Sequence, residues 1–170
     1  MKLHGNIRIG GKTYVKGTDI PRLAIYPYFL FHMLFFGVTG FAMVYSSKPA
    51  PISFIFIHGG VSIAVYTMFY MLIFGLDEVK WMFINAGLGV LGIYTQISWL
   101  LSLFGKRISD YPICAQVVPF SYYVLYTFLV RHALLDFTQS REDENKTQKV
   151  EYCYIAASIM VSITAYYLND

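Results

Sequence analysis

Two histidines, His32 and His58, are the side chains in this sequence whose chemistry most suggests a cofactor site or a proton relay. Each lies inside a long apolar stretch, where a neutral imidazole can ligate haem iron or pass a proton. On adjacent helices the two rings would approach a b-type haem from opposite sides. At a rise of about 1.5 Å per residue their depths differ by several ångströms, so interhelical hydrogen bonds are the alternative interpretation.

The third apolar stretch carries two amides and two glycines at helical spacing: Asn85, Gly89, Gly92 and Gln96. Steps of four, three and four residues place them on one helical face. Glycines between amides let another helix approach closely while the amides hydrogen-bond across the contact. We therefore predict that this face is the centre of a helix bundle, as a packing or partner surface. Polar and small residues of the last two stretches complete the set: Gln116, Thr127, Ser158 and Ser162.

Five apolar stretches must position these residues: 23–45, 52–75, 79–105, 111–135 and 150–168. About 20 helical residues cross a hydrocarbon core of about 30 Å, and no charged side chain lies deep inside any stretch. The chain is 56% hydrophobic and 14% charged, whereas soluble domains carry about 25% charged residues. The sequence therefore predicts an all-α integral membrane protein, a bundle of five transmembrane helices embedded in a lipid bilayer.

The positive charges predict the orientation of this bundle. Ten of the 13 Lys and Arg residues fall on the side of the N-terminus, in the tail 1–22, near Lys80, and around the hydrophilic segment 136–149. Because cytoplasmic loops carry the excess of Lys and Arg, we expect a multi-pass inner (plasma) membrane protein with a cytoplasmic N-terminus and a cytoplasmic loop at 136–149. His132, four residues before Asp136, is expected to reach that interface in an ion pair.

The N-terminal tail has a pattern of its own. Alternating polar and apolar residues flank Gly10-Gly11 on both sides, which is typical of a short β-hairpin with a primed turn. An isolated hairpin is marginal in water, so it would need to dock on the bundle or on a partner. A flexible basic tail attracted to anionic lipid is the alternative.

Motifs for catalysis, nucleotide binding and metal coordination are missing from the sequence, which does not favour an enzyme or a metal site. The net charge of +3 does not indicate nucleic-acid binding, because the cations cluster where membrane topology needs them. Three functional hypotheses remain. The first is intramembrane recognition of a protein partner, as in an accessory subunit, assembly factor or immunity-type protein, or of a second copy. The others are an oligomeric channel or passive permease lined by Asn85 and Gln96, and a b-type haem-binding redox protein.

Overall fold

The computed structural model describes residues 2–9 and 11–168. A two-stranded sheet, β1 (Ile7–Ile9) and β2 (Lys12–Tyr14), precedes all the helices. Six helices follow: α1 (Arg22–Tyr45), α2 (Ile52–Phe74), α3 (Leu76–Leu88), α4 (Val90–Ser102), α5 (Ile113–Phe137) and α6 (Glu144–Tyr167). A 3₁₀ turn at Ile108–Asp110 leads from α4 into α5.

Three of the described helices are long and apolar enough to cross a membrane: α1, α2 and α5. The pair α3 and α4 forms a fourth candidate if the two are counted as one bent span. These helices support a membrane-embedded chain, but the predicted count of five spans is not confirmed. Helix α6 is not among the candidates, because Glu151 and several Tyr, Ser and Thr side chains dilute its apolar content.

The prediction of one continuous helix over 79–105 is wrong. The chain is helical there, but α3 and α4 meet at Gly89 with an angle of 68° between them. Gly89 has φ −88° and ψ 4°, away from regular helix geometry. Gly87, Gly89 and Gly92 all lie within six residues, and glycine is a poor helix former. Helical spacing alone does not reveal this break, since the polar face keeps its period across it.

The predicted loop 136–149 is also shorter than expected. Helix α5 continues to Phe137, and α6 begins at Glu144, so the connection between them is six residues long. Asp143 caps α6, because its side chain accepts hydrogen bonds from the backbone N–H groups of Asn145 and Lys146. The first turns of α6 carry charged residues and were therefore not part of the predicted span 150–168. Such residues nevertheless form helices readily where they face water.

Helix α5, and not the α3–α4 pair, is the centre of the bundle. Of its most apolar window 44% is buried, against 17% for α2. Helix α1 packs along α5, while α2 and α3 contact it on other faces. A glycine makes one of these contacts possible: a Cβ on Gly59 of α2 would lie 2.5 Å from Val118 Cγ1 of α5. The centre was predicted wrongly because the prediction rested on the polar face of the third stretch and not on the apolar surface of α5.

The N-terminal hairpin is confirmed, and it is docked on the bundle. Strands β1 and β2 are antiparallel, with Ile7 opposite Tyr14. Leu3 is buried, and the backbone N–H groups of His4 and Gly5 donate to the carbonyl of Leu72 at 2.8 and 3.2 Å. The last carbonyls of a helix lack partners within it, so the tail caps α2. The predicted primed turn includes Gly10, which lies outside the described residues.

Candidate functional site

A cleft of about 960 Å³ opens at the side of the bundle between α3, α4, α5 and α6. Its rims carry exposed apolar side chains, Trp81 of α3 and Ile155 and Ile159 of α6. The cleft is lined by seven of the eight residues that the sequence singled out for packing or partner binding: Asn85, Gly89, Gly92, Gln96, Thr127, Ser158 and Ser162. Seven residues chosen from the sequence thus lie together in one cleft.

Some of these seven residues already contact one another where α4 meets α6. Gln96 Nε2 donates to Ser162 Oγ at 2.9 Å, and Ser162 Oγ donates to the carbonyl of Ser158 at 2.9 Å. A Cβ on Gly92 would lie 3.0 Å from Ser162 Oγ, so the glycine allows the two helices to approach. These residues hold α6 against α4 and are not free for a partner.

One polar group of the cleft, the side-chain amide of Asn85, remains open. Among the described residues, none hydrogen-bonds the side-chain amide of Asn85, which is exposed to the cleft. Asn85 lies nine residues into α3, about 14 Å from its first residue at 1.5 Å per residue. On the α5 wall, Tyr154 of α6 donates its hydroxyl to the carbonyl of Thr127 at 3.3 Å. The open amide thus lies in the last turn of α3, four residues before Gly89.

The end of the cleft nearest the hairpin is charged. Arg131 of α5 forms an ion pair with Glu151 of α6. The other guanidinium nitrogen, Nη1, lies 3.6 Å from Glu78 Oε2 of α3, which is longer than a hydrogen bond. The Glu78 side chain is 44% exposed. Two carboxylates and one guanidinium therefore stand where the cleft meets the ends of three helices.

Behind this end lies a polar cluster that we call the His132 cluster, formed by the buried Tyr26, His132 and Asp136 and by the exposed Arg141. The His132 ring is 0% exposed and lies between the rings of Phe74 and Phe128, at centroid distances of 4.4 and 4.3 Å. Arg141 donates to His132 Nδ1 and, through Nε, to Asp136 Oδ1 at 2.6 Å. Tyr26 donates its hydroxyl to Asp136. Since Nδ1 accepts a hydrogen bond here, the proton of the neutral ring is on Nε2.

The prediction that His132 extends out to the interface is wrong, because the ring is buried between Phe74 of α2 and Phe128 of α5, although Glu78 lies near its Nε2. The sequence signal for the cluster was present but incomplete. His132 and Asp136 are one helical turn apart, and Arg141 follows five residues later beyond the end of α5. Nothing in that spacing shows that Tyr26, more than one hundred residues earlier, closes the cluster from α1.

The remaining predicted residues lie elsewhere. Gln116 Nε2 donates to the carbonyls of Ile108 and Tyr111 at 3.1 and 3.0 Å, so it secures the turn before α5 and does not line the cleft. His32 lies on the exposed side of α1, and its Nδ1 donates to the carbonyl of Tyr28 at 2.8 Å. His58 is exposed on α2 and stacks on Phe54 with ring centroids 5.7 Å apart. The haem hypothesis for the two histidines stays an untested prediction.

No protein family, curated protein or solved structure shows significant similarity to this chain. Within the described ranges, no three His, Cys, Asp or Glu side chains form a group able to hold a metal ion. The candidate site is thus a cleft with apolar rims, an open amide and a charged end. Clefts between the helices of a bundle are common ligand and partner sites.

Proposed function

We propose that this protein acts inside the bilayer by recognising a transmembrane helix of a partner protein, which lies in the cleft between α3, α4, α5 and α6. The observation that carries the proposal is the open side-chain amide of Asn85, which is exposed to the cleft and which we place near the middle of the bilayer. An amide in hydrocarbon without a hydrogen-bond partner is costly, and neighbouring helices supply such partners in membranes. A partner helix with a Ser, Thr, Asn or Gln at that depth would satisfy it.

The shape of the cleft supports a helix as the occupant. Its lining follows α3 and α4 from Glu78 to Gln96, a path of about 27 Å at 1.5 Å per residue that bends by 68° at Gly89. An amphipathic helix that lies in a groove makes contacts at intervals of three and four residues. An acyl chain would fit the apolar rims but offers nothing to the amide. A lipid is therefore the less suitable occupant.

The proposal includes a location and an orientation. We place the bundle in an inner (plasma) membrane with the hairpin on the cytoplasmic side, where Lys and Arg are in excess. We also propose that α6 crosses as a fifth span. In support, α6 pairs with Arg131 near the hairpin end through Glu151, and with Gln96 farther along the bundle through Ser162.

Site-specific photocross-linking tests the occupant. A benzoyl-phenylalanine side chain is placed at Trp81 or Ile159, on the two rims, and for comparison at Phe31, an exposed side chain of α1. The protein is irradiated in the membrane in which it is naturally made. We expect a discrete protein adduct from the two rim positions that is lost when Asn85→Leu is added. Thr95→Val is the matched control, because the Thr95 hydroxyl donates to the carbonyl of Leu91 in its own helix.

Other outcomes would identify other occupants. Adducts formed only with lipid would overturn the proposal, and so would protein adducts that Asn85→Leu leaves unchanged. An adduct of twice the mass of the chain would make the partner a second copy of this protein, and the same Asn85 dependence would then be required. Recovery of a lone monomer from several mild detergents, without any adduct, also contradicts the proposal.

A second candidate, a passive permease, is favoured by the break between α3 and α4. Discontinuous helices place backbone polar groups at binding sites within many transporters, and here Gly89 lines the cleft. Solute flux into proteoliposomes tests it. Flux no greater than that into empty liposomes, or flux that Asn85→Leu leaves unchanged, would remove this candidate.

A further inference from the structure

The exposed cations of the N-terminal hairpin are a feature that the cleft does not explain. Arg8, Lys12 and Lys16 are all exposed, and among the described residues no carboxylate pairs with any of them. Val15, between two of these positions in the sequence, is an apolar side chain that is 57% exposed. The hairpin thus presents positive charge with an apolar side chain beside it.

Most other cations at the same end of the molecule behave differently, although Lys149 of α6 also lacks a carboxylate partner among the described residues. Lys80 lies 3.4 Å from Asp77, Arg141 lies 2.6 Å from Asp136, and Lys146 lies 3.8 Å from Asp143. Arg131 is paired with Glu151. Each of these charges is largely compensated within the chain. The hairpin charges are not, so their field extends to whatever lies beside the hairpin.

The docking of the hairpin determines what that neighbour is. Leu3 is buried, and His4 and Gly5 are hydrogen-bonded to the carbonyl of Leu72, in the last turn of α2. Helix α2 is long and apolar enough to cross a membrane, so its end lies where hydrocarbon gives way to headgroups. A folded hairpin fixed to that end is held at the level of the headgroups.

We propose that the hairpin binds the headgroups of anionic phospholipids in the adjacent leaflet through Arg8, Lys12 and Lys16. Lys and Arg side chains near an anionic membrane surface are attracted to it, and the attraction falls off within a Debye length of about 10 Å at 0.1 M salt. The fixed height of the hairpin keeps its cations inside that distance. Val15 adds an apolar contact next to them.

Hydrogen exchange of the full-length protein in nanodiscs tests this inference. The probes are discs of phosphatidylcholine alone and discs in which part of it is replaced by phosphatidylglycerol. Each cation near an anionic surface strengthens binding by about fivefold, so three should slow the opening of the hairpin roughly a hundredfold. We expect the amides of 7–9 and 12–14 to exchange that much more slowly in the anionic discs, and raised salt to reverse the effect.

Two variants make the result specific. Arg8→Gln/Lys12→Gln/Lys16→Gln should exchange equally fast in both discs, while Arg8→Lys/Lys12→Arg/Lys16→Arg should behave like the unmodified protein. The matched control removes the same charge from α3 and α6 at the same end, and it should keep the lipid effect: Lys80→Gln/Lys146→Gln/Lys149→Gln.

Equal exchange of the unmodified hairpin in the two kinds of disc would overturn the inference. So would slow exchange in anionic discs that survives loss of all three cations. Protection that appears only when membrane proteins are added, and not with phosphatidylglycerol, would assign the surface to an acidic protein instead. None of these three outcomes bears on the occupant of the cleft, which is read from cross-linking.

Discussion

Glu78 Oε2 lies 3.5 Å from His132 Nε2, and this contact joins the side cleft to the His132 cluster. The carboxylate borders the cleft, while the ring has no surface of its own. On the far side of the ring, Nδ1 accepts a hydrogen bond from Arg141, in the connection between α5 and α6. An occupant that moved Glu78 would therefore act on a group that holds together α1, α3, α5 and this connection.

The Arg141–Asp136 pair should matter for stability. Arg141→Met removes a hydrogen bond between charged groups from the buried Asp136 carboxylate, which should cost about 1.5–3 kcal/mol. Lys146→Met, which removes an exposed pair with Asp143, should cost under about 1 kcal/mol. Unfolding midpoints in detergent measure both changes. Equal effects of the two variants would contradict a structural role for the cluster.

Close packing of α2 on α5 depends on the absence of a side chain at one position. A Cβ on Gly59 would lie 2.5 Å from Val118 Cγ1, so Gly59→Ala should destabilise the protein by about 1–3 kcal/mol through overpacking. Gly60→Ala is the matched control, because a Cβ there meets no described atom within 4 Å. Thermal unfolding in one detergent compares the two. A control that unfolds as early as Gly59→Ala would show that the helix contact is not the cause.

The hydrogen bond from Gln96 to Ser162 should hold α6 in place. Gln96→Leu is expected to cost about 0.6 kcal/mol, a typical value for an interhelical hydrogen bond in a membrane protein, and to speed amide exchange in the second half of α6. Thr95→Val, one residue away, removes only a bond within α4 and should leave α6 unchanged. Unaltered α6 exchange in Gln96→Leu would mean that apolar packing alone fixes this helix.

The topology can be read from cysteine labelling. After Cys114→Ser and Cys153→Ser, single cysteines are introduced and treated with a membrane-impermeant maleimide from one side of sealed vesicles. Thr13→Cys, Asp77→Cys and Gln139→Cys should react together, and Lys48→Cys and Ser109→Cys only from the opposite side. If α6 crosses, Leu168→Cys reacts with the second group. Reaction with the first group would show that α6 lies on the surface.

The sequence by itself determined which segments are helical and apolar. Predicted spans 23–45 and 52–75 match α1 and α2 within one residue at each end, because long apolar runs bounded by proline and polar turns leave little choice. The hairpin was equally readable, since its alternation surrounds a Gly-Gly pair. Polar spacing also identified seven residues of the cleft, because such side chains rarely face lipid.

Only the tertiary structure decided how those residues are used. Gln96 and Ser162, sixty-six residues apart, satisfy each other, whereas Asn85, on the same predicted face, stays open. The bend at Gly89 lies between the amides of Asn85 and Gln96, and no local sequence pattern predicts its angle. The His132 cluster unites residues from α1, α5 and the connection after α5, and Glu78 of α3 approaches it. Contacts between distant segments depend on how helices pack, and a one-dimensional pattern fixes a face but not its neighbour.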